Sequence, residues 1–355
     1  MRGFLYVPVA TVTAILVAPA VEARIVRGPV LGPSLVENRL RESPSRTVVV
    51  ILPPRYDERP TERYPVVFLL HAWGAGPDSW LGRDGYEGLR VPDVIRAGVE
   101  EKRIGPMILV LPDARTALGG SWYANSPTSG AWEDFVATDL VVHVDRTYRT
   151  IPDRAARGIA GQSMGGYGAL RIAMNRPDVF GAVLAMSAPH LVEPNPFGAD
   201  AARAAVELER GTNANASPLA RVLWSKAVAF SPMPGRAPYH AELPWSVVDG
   251  RLVENDAVWA RWLDSALVRW VPGRAADLRR LRIRLEVGER DPFLGETRAL
   301  ATALAAADVA HEFVVFDGDH VKGVRARFET GVFEFFSQGF SARSVDPPTP
   351  SEPAR

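Results

Sequence analysis

The sequence predicts an α/β fold in which helices cover both faces of a mostly parallel central sheet. Short apolar runs bounded by proline or glycine recur along the chain, and continuous runs of this kind are typical of buried parallel strands. Segments with apolar residues at helical spacing alternate with these runs. Because strand–helix alternation builds parallel sheets with both faces covered, the two observations together define the fold class.

The predicted elements follow one another in a regular order. TVVVIL, the first run, ends at a Pro-Pro turn, and VVFLL and MILVL are the next two buried runs. The predicted strands lie at residues 47–52, 66–70, 107–111, 157–160, 183–187, 283–287 and 312–316. The predicted helices lie at about residues 135–148, 165–175, 296–306 and 324–337.

The alternation breaks down between about residues 190 and 280, a stretch rich in proline and tryptophan. We predict a partly helical insertion over one edge of the sheet, within an α/β domain that spans residues 24–340. The tail at 341–355 is rich in proline and serine, a composition that predicts disorder.

The N-terminus has the pattern of a secretory signal peptide over residues 1–23. Arg2 precedes an apolar run at 4–17, and the small residues Ala18, Ala20 and Ala23 follow. Cleavage after Ala20 or Ala23 fits this pattern, and the mature protein would then be secreted or periplasmic. An uncleaved membrane-anchoring segment is the alternative, although the run is shorter than the roughly 20 apolar residues that a spanning helix needs.

Composition excludes several functional classes. The chain of 355 residues carries 41 basic and 41 acidic residues, so its zero net charge indicates no electrostatic binding of nucleic acid or of an anionic membrane. It contains no cysteine, which excludes disulfides, a cysteine nucleophile and thiolate metal sites. We expect no stable membrane insertion after signal cleavage, and the oligomeric state is left open.

The strongest chemical signal is Gly161-Gln-Ser163-Met-Gly165, which lies between a predicted strand and a predicted helix. This is the G-x-S-x-G nucleophile elbow of the α/β-hydrolase fold in its strand–turn–helix setting. Glycines flank the serine because side chains there would collide with the neighbouring strand and helix. Ser163 is therefore the predicted nucleophile.

A serine hydroxyl needs a base, and in this fold the acid and then the histidine follow the serine along the chain. His320 lies in a tight loop after the last predicted strand, where α/β sheets place active residues. His240 lies in the insertion with no strand leading to it, and His311 opens a strand, so His320 is the predicted general base.

Asp291 is the predicted acid that orients His320, because it follows the strand at 283–287 in the loop at that strand's carboxyl end. Glu289 is its nearest competitor, and Asp317 and Asp319 are too close to His320 in sequence.

The second backbone donor of an oxyanion hole should follow an early strand, and the loop at residues 71–74 fits. We predict that the Trp73 N–H joins that of Met164, with Ala72 as the alternative to Trp73. His71 is interpreted as a structural residue that supports this loop.

These residues resemble the putative-esterase family, which includes S-formylglutathione hydrolases, feruloyl and acetyl xylan esterases and the mycobacterial antigen 85 mycolyltransferases. The resemblance covers roughly residues 34–336. It is carried by Leu-Leu-His-Ala-Trp-Gly at 69–74, Gly-Ser-Trp-Tyr-Ala-Asn-Ser-Pro at 120–127, Trp-Glu-Asp at 132–134, Gly-Gln-Ser-Met-Gly-Gly-Tyr-Gly-Ala-Leu at 161–170 and the loops at Asp291 and 317–320. It implies the triad Ser163, Asp291 and His320 and the oxyanion donors Met164 and Trp73.

The expected activity is hydrolysis of a small-molecule or carbohydrate-linked ester through an acyl-enzyme, with no metal or organic cofactor. Two alternatives stay open: an antigen 85-like acyltransferase that uses a sugar hydroxyl in place of water, and a non-catalytic binding protein on a hydrolase scaffold. The insertion's tryptophans could line an acyl channel, stack on a sugar or an aromatic acyl group, or pack as a satellite core.

Overall fold

The computed structural model describes residues 22–83, 85–192, 197–209 and 217–343. Most of the predicted signal peptide (residues 1–21) and residues 344–355 of the predicted tail lie outside this part of the chain. Across the described ranges, the structure contains no helix with the length and apolar character needed to cross a bilayer.

Strands and helices alternate along most of the chain. The strands are β1 Arg24–Leu31, β2 Ser45–Leu52, β3 Val66–Leu70, β4 Ile108–Pro112, β5 Asn125–Ser126, β6 Gly130–Ala131, β7 Arg157–Gln162, β8 Ala182–Met186, β9 Trp245–Val248, β10 Arg251–Glu254, β11 Arg282–Gly288 and β12 His311–Phe316. The helices are α1 Val91–Glu100, α2 Trp132–Asp134, α3 Val141–Thr147, α4 Met164–Asn175, α5 Gly198–Glu209, α6 Pro218–Phe230, α7 Asp256–Asp264, α8 Val271–Leu278, α9 Leu294–Ala306, α10 Val324–Arg327 and α11 Phe333–Arg343.

Eight strands form the central sheet, in the order β1-β2-β4-β3-β7-β8-β11-β12. The six strands from β4 to β12 are mutually parallel, whereas β2 runs antiparallel to both β1 and β4. This arrangement confirms the predicted fold class, a mostly parallel sheet with helices on both faces.

The sheet has a hydrophobic core on each face, which explains why its central strands are continuous apolar runs. In β3, Val66, Phe68 and Leu70 pack into one core, whereas Val67 and Leu69 pack into the other. All five side chains are fully buried. Burial of each such side chain contributes roughly 1.5–3 kcal/mol relative to exposure, so the central strands provide a rigid base for the loops at their ends.

The insertion is partly helical, as predicted. It contains α5 to α8 and the β9–β10 hairpin, and α5 packs along α6. Trp224, Trp245 and Trp262 are buried in it, and the Trp224 Nε1–H donates to the Ala205 carbonyl at 2.9 Å. These three tryptophans belong to the same hydrophobic core as Val66, Phe68 and Leu70 of β3, so they extend that core and do not form a separate one.

Three elements differ from the prediction. β1 pairs at the sheet edge with mostly exposed side chains, so it lacks the apolar pattern that marks the inner strands. α1 was not predicted. α11 runs to Arg343, three residues past the predicted domain end at residue 340. Within this helix Phe340 stacks on Phe336, with ring centroids 6.0 Å apart.

Candidate active site

Three parallel strands end at the same edge of the sheet, and each delivers one of the predicted triad residues. Ser163 directly follows β7, Asp291 lies three residues after β11, and His320 lies four residues after β12. Because β8 lies between β7 and β11, and β12 lies beside β11, the three loops lie close together over the half of the sheet that ends at β12.

The sharp turn at Ser163 depends on close backbone packing. Ser163 has φ 56° and ψ −123°, a strained conformation for a residue with a side chain, and its N–H donates to the Met186 carbonyl at 2.9 Å. A Cβ on Gly161 would lie 2.3 Å from the carbonyl carbon of Gly165, and one on Gly165 would lie 2.2 Å from the Leu70 oxygen. The turn can therefore form only with glycine at both positions.

The structure brings the three predicted side chains into one hydrogen-bonded line. His320 Nε2 lies 3.0 Å from Ser163 Oγ, and His320 Nδ1 lies 3.0 Å from Asp291 Oδ2. A carboxylate at Nδ1 favours the tautomer that carries its proton there, which leaves Nε2 free to accept the serine proton. The ring of Phe293 packs edge-on against the imidazole, with centroids 5.2 Å apart.

Asp291 is held in its charged form. Burial alone would raise the pKa of Asp291, but the hydrogen bond and charge interaction with His320 and the Phe293 N–H at 2.8 Å lower that pKa below 3.8. The carboxylate is therefore ionised at neutral pH and able to stabilise an imidazolium.

The competing residues lie elsewhere. His240 and His311 each contact a nearby backbone carbonyl through Nδ1. Glu289 and Asp317 pair with the same surface arginine, and Asp319 accepts two backbone N–H groups of its own loop. None of these five side chains contacts Ser163 or takes the place of the acid within the described structure.

The loop after β3 faces the serine and offers a free donor. Gly74 donates its N–H to the Gly119 carbonyl at 3.0 Å, and Ala75 donates to Ala72, whereas the Trp73 N–H donates to no acceptor in the described residues. The N–H of Met164 belongs to the first turn of α4, where backbone donors have no partner inside the helix. Both predicted oxyanion donors therefore belong to unpaired backbone positions beside Ser163.

His71 fixes the orientation of this loop. Its Nδ1–H donates to the Ala72 carbonyl at 2.7 Å, and its Nε2 accepts the Ala114 N–H at 2.9 Å. The Ala72 carbonyl and the Trp73 N–H belong to one planar peptide and point in opposite directions, so holding the carbonyl aims the N–H. Burial lowers the pKa of His71 to about 4, which keeps the ring neutral and able to accept the Ala114 hydrogen bond.

Gln162 is a site residue that the sequence pattern did not reveal. Its Nε2 donates to the His320 carbonyl at 2.7 Å, and its Oε1 accepts the Tyr86 hydroxyl at 3.1 Å. Gln162 thus ties the loop of the histidine to the strand of the serine. The elbow motif leaves this position unspecified, so only the fold identifies the contact.

A cavity of about 490 Å³ opens onto Ser163. Aromatic side chains form much of its wall, and they come from five separate segments: Trp73, Tyr86, Trp122, Phe197 and Phe293. Trp122 belongs to the sequence stretch at 120–127 that carries the family resemblance.

In α/β-hydrolases, a serine at a nucleophile elbow contacts a histidine at the carboxyl edge of a mostly parallel sheet. This chain has the same arrangement, and its fold is the α/β-hydrolase fold. The chain belongs to the family described as Putative esterase, whose model matches residues 42–329.

Relatives and solved structures agree with this assignment. The chain is 32% identical over 120 residues to an endo-1,4-beta-xylanase/feruloyl esterase of Xylanibacter ruminicola, covering 34% of this chain and 16% of that protein. It is 32% identical over 148 residues to an esterase of Mycobacterium tuberculosis, covering 40% and 29%. The chain therefore spans less than a third of the length of these curated relatives. A solved ferulic acid esterase superimposes with a TM-score of 0.63 at 23% identity, covering 90% of this chain and 99% of that one.

Proposed function

We propose that the protein is an exported serine carboxylic-ester hydrolase that acts through a Ser163–His320–Asp291 triad and an acyl-enzyme. The observation that carries the proposal is the pair of 3.0 Å contacts that His320 makes with Ser163 and Asp291. Family membership and the esterases among the relatives support the reaction class. The signal-peptide pattern supports export.

In the first half-reaction, His320 Nε2 takes the hydroxyl proton as Ser163 Oγ attacks the ester carbonyl carbon. The carbonyl π electrons move to the oxygen, which becomes an oxyanion held by the N–H groups of Met164 and Trp73. His320 then gives its proton to the leaving alcohol oxygen as the ester C–O bond breaks. The acyl group remains on Ser163.

In the second half-reaction, His320 takes a proton from water, and the resulting hydroxide attacks the acyl carbon. The same two N–H groups hold the new oxyanion, and His320 returns the proton to Ser163 Oγ as the acyl C–O bond breaks. The carboxylic acid is released. Each step uses only protons and electron pairs from the ester, water and these side chains, so the reaction needs no metal or cofactor.

The test is fluorophosphonate labelling and hydrolysis of p-nitrophenyl acetate, comparing the wild-type protein with Ser163→Ala. We expect one label per chain and ester turnover in the wild type, and neither in the variant. A second variant, Ser341→Ala, changes a hydroxyl on α11 that is remote from the cavity, and should behave as the wild type. A folded wild-type protein that neither labels nor hydrolyses any ester would refute the proposal.

A further inference from the structure

We propose that the cavity beside Ser163 selects a neutral, purely hydrocarbon acyl group, and that the insertion provides the wall that measures its length. The inference rests on the proposed function, because it concerns the substrate of the same site.

The described lining of the cavity offers little charge to a substrate. Among those residues, His320 is the only one with an imidazole, ammonium, guanidinium or carboxylate side chain. A carboxylate or ammonium on the acyl group would lose water without gaining an opposite charge, and such burial is strongly unfavourable. The site therefore disfavours charged acyl groups.

The polar side chains in the wall are already hydrogen-bonded within the protein. Trp73 Nε1–H donates to the Leu118 carbonyl at 3.0 Å, and Ser79 Oγ–H donates to the Gly76 carbonyl at 2.7 Å. The Tyr86 hydroxyl donates to Gln162, whose amide in turn donates to the histidine's carbonyl. These groups present mainly carbon surface to the cavity, so a hydroxyl on a bound acyl group would gain little in exchange for its water.

Trp122 forms a rigid part of the wall. Its Nε1–H donates to Ser225 Oγ at 2.8 Å, and the Lys226 ammonium lies 5.2 Å from the indole centroid. Tyr167 packs edge-on against the same ring at 5.8 Å. A ring fixed on several sides presents a constant apolar face to a substrate.

The direction of the acyl group follows from the chemistry. His320 must protonate the leaving oxygen, so the alcohol lies beside His320 and its neighbours in the wall, Phe293 and Val321. The acyl group must then extend toward the opposite side of the cavity. Phe197, Leu219 and Val222 line the same cavity, and we assign them to that side and call them the insertion wall.

The insertion wall is apolar. Two of its residues lie on α6, and the third lies directly before α5. Leu219 and Val222 are three residues apart on α6 and so share a face, and Phe197 directly precedes α5. The whole cavity measures about 490 Å³, and a group the size of a water molecule takes about 30 Å³. An acyl chain of about eight carbons fits, with space left for the alcohol.

The first measurement is kcat/KM for p-nitrophenyl esters from acetate to decanoate. We expect kcat/KM to rise about two- to fourfold for each added methylene up to about eight carbons and then to reach a plateau. Burial of one methylene contributes about 0.8 kcal/mol, which corresponds to a factor of about four at most. The second is a matched pair, methyl cinnamate and methyl 4-hydroxycinnamate, which differ by one hydroxyl. We expect the hydroxylated ester to react about 10- to 100-fold less efficiently.

Two charged variants locate the pocket. Leu219 and Val253 are similarly exposed (41% and 44%), but only Leu219 lines the cavity. Leu219→Asp places its charge in the first turn of α6, where the helix dipole favours it, so folding is preserved. We expect this variant to lower kcat/KM for the octanoate ester about tenfold more than kcat/KM for acetate. Val253→Asp, on the β9–β10 hairpin, should change neither.

The outcomes separate the two proposals. If acetate turnover depends on Ser163 but kcat/KM is flat or falls with chain length, or if the hydroxylated cinnamate is the better substrate, the hydrocarbon-pocket inference is overturned and the esterase stands. If Leu219→Asp leaves the chain-length profile intact, the insertion wall is refuted. If no ester is hydrolysed and nothing labels, both proposals fail together.

Discussion

The histidine beneath the oxyanion loop makes two buried hydrogen bonds, and replacing it with leucine removes both. In His71→Leu the Ala72 carbonyl and the Ala114 N–H lose their side-chain partner. The Ala114 N–H is then unsatisfied, which costs about 1–3 kcal/mol, and the Ala72 carbonyl keeps the Ala75 N–H but loses its imidazole donor, so we expect the free energy of unfolding to fall by about 2–4 kcal/mol near pH 8. We also expect kcat to fall about 10- to 100-fold with little change in KM. This is less than the 10²–10³ typical when an oxyanion donor is removed, because the Trp73 N–H is loosened but not lost.

The pH dependence gives a second, independent measurement. Folding lowers the pKa of His71 from 6.5 to about 4, so the stability gained from its neutral form is complete above pH 6.5 and is lost as the pH falls to 4. The loss amounts to about 3 kcal/mol for the wild-type protein and is absent in the leucine variant. The stability gap between the two proteins should therefore nearly close at pH 4.

Urea unfolding at pH 8, 6 and 4, followed by fluorescence, measures the difference in free energy of unfolding between the wild type and His71→Leu. Ester hydrolysis at pH 8 measures kcat for both proteins. His143→Gln, which changes a histidine on the surface of α3, is the control and should shift neither quantity. A gap that stays constant from pH 8 to pH 4 would refute the buried neutral histidine. An unchanged kcat would refute its control of the loop.

Three further substitutions test the rest of the site. Asp291→Asn should lower kcat by about 10⁴-fold because the imidazole loses its orienting carboxylate, whereas Asp317→Asn on the exposed loop should keep wild-type kinetics, and equal effects would contradict the assigned acid. Gly165→Ala should lower the free energy of unfolding by about 3 kcal/mol or more, measured by urea denaturation, since its Cβ would overlap a neighbouring strand's backbone. Gly273→Ala, with open space around it, should be neutral or slightly stabilising, so similar losses in both glycine variants would count against the packing argument. Gln162→Leu should lower kcat about tenfold by releasing the carbonyl of the histidine's loop, and activity within twofold of wild type would show that this contact is dispensable.

The sheet, and the meeting of Ser163, His320 and Asp291 at its carboxyl edge, could be predicted because local sequence determines them. Strands such as β3 are buried on both faces and therefore read as continuous apolar runs. Ser163 lies in a motif whose glycines have a steric cause, and Asp291 and His320 follow predicted strands. A residue at a strand's carboxyl end can be placed from the sequence once the order of strands is known.

The rest depends on contacts between distant segments. β1 is an exposed edge strand and lacks an apolar signature. The sequence left open whether the tryptophans of the insertion line a channel, stack on a ligand or pack in a core, because that depends on their contacts with distant residues such as Phe68 in β3. The cavity wall was missed because Phe197, Leu219 and Trp122 come from segments far apart in sequence. No local sequence pattern predicts that these three side chains line the same cavity.

The position of β12 has a consequence for how activity appears during folding. β12 is the last strand in the described part of the chain and the outermost strand of the central sheet, where it pairs with β11. The inner strands can pair before β12 docks, but the loop that carries the histidine cannot reach the serine until it does. Recovery of ester turnover after dilution from denaturant would thus report the docking of one edge strand, later than the burial of the tryptophans. On the ribosome, the nascent chain would stay inert until β12 and the loop that carries His320 had been synthesised.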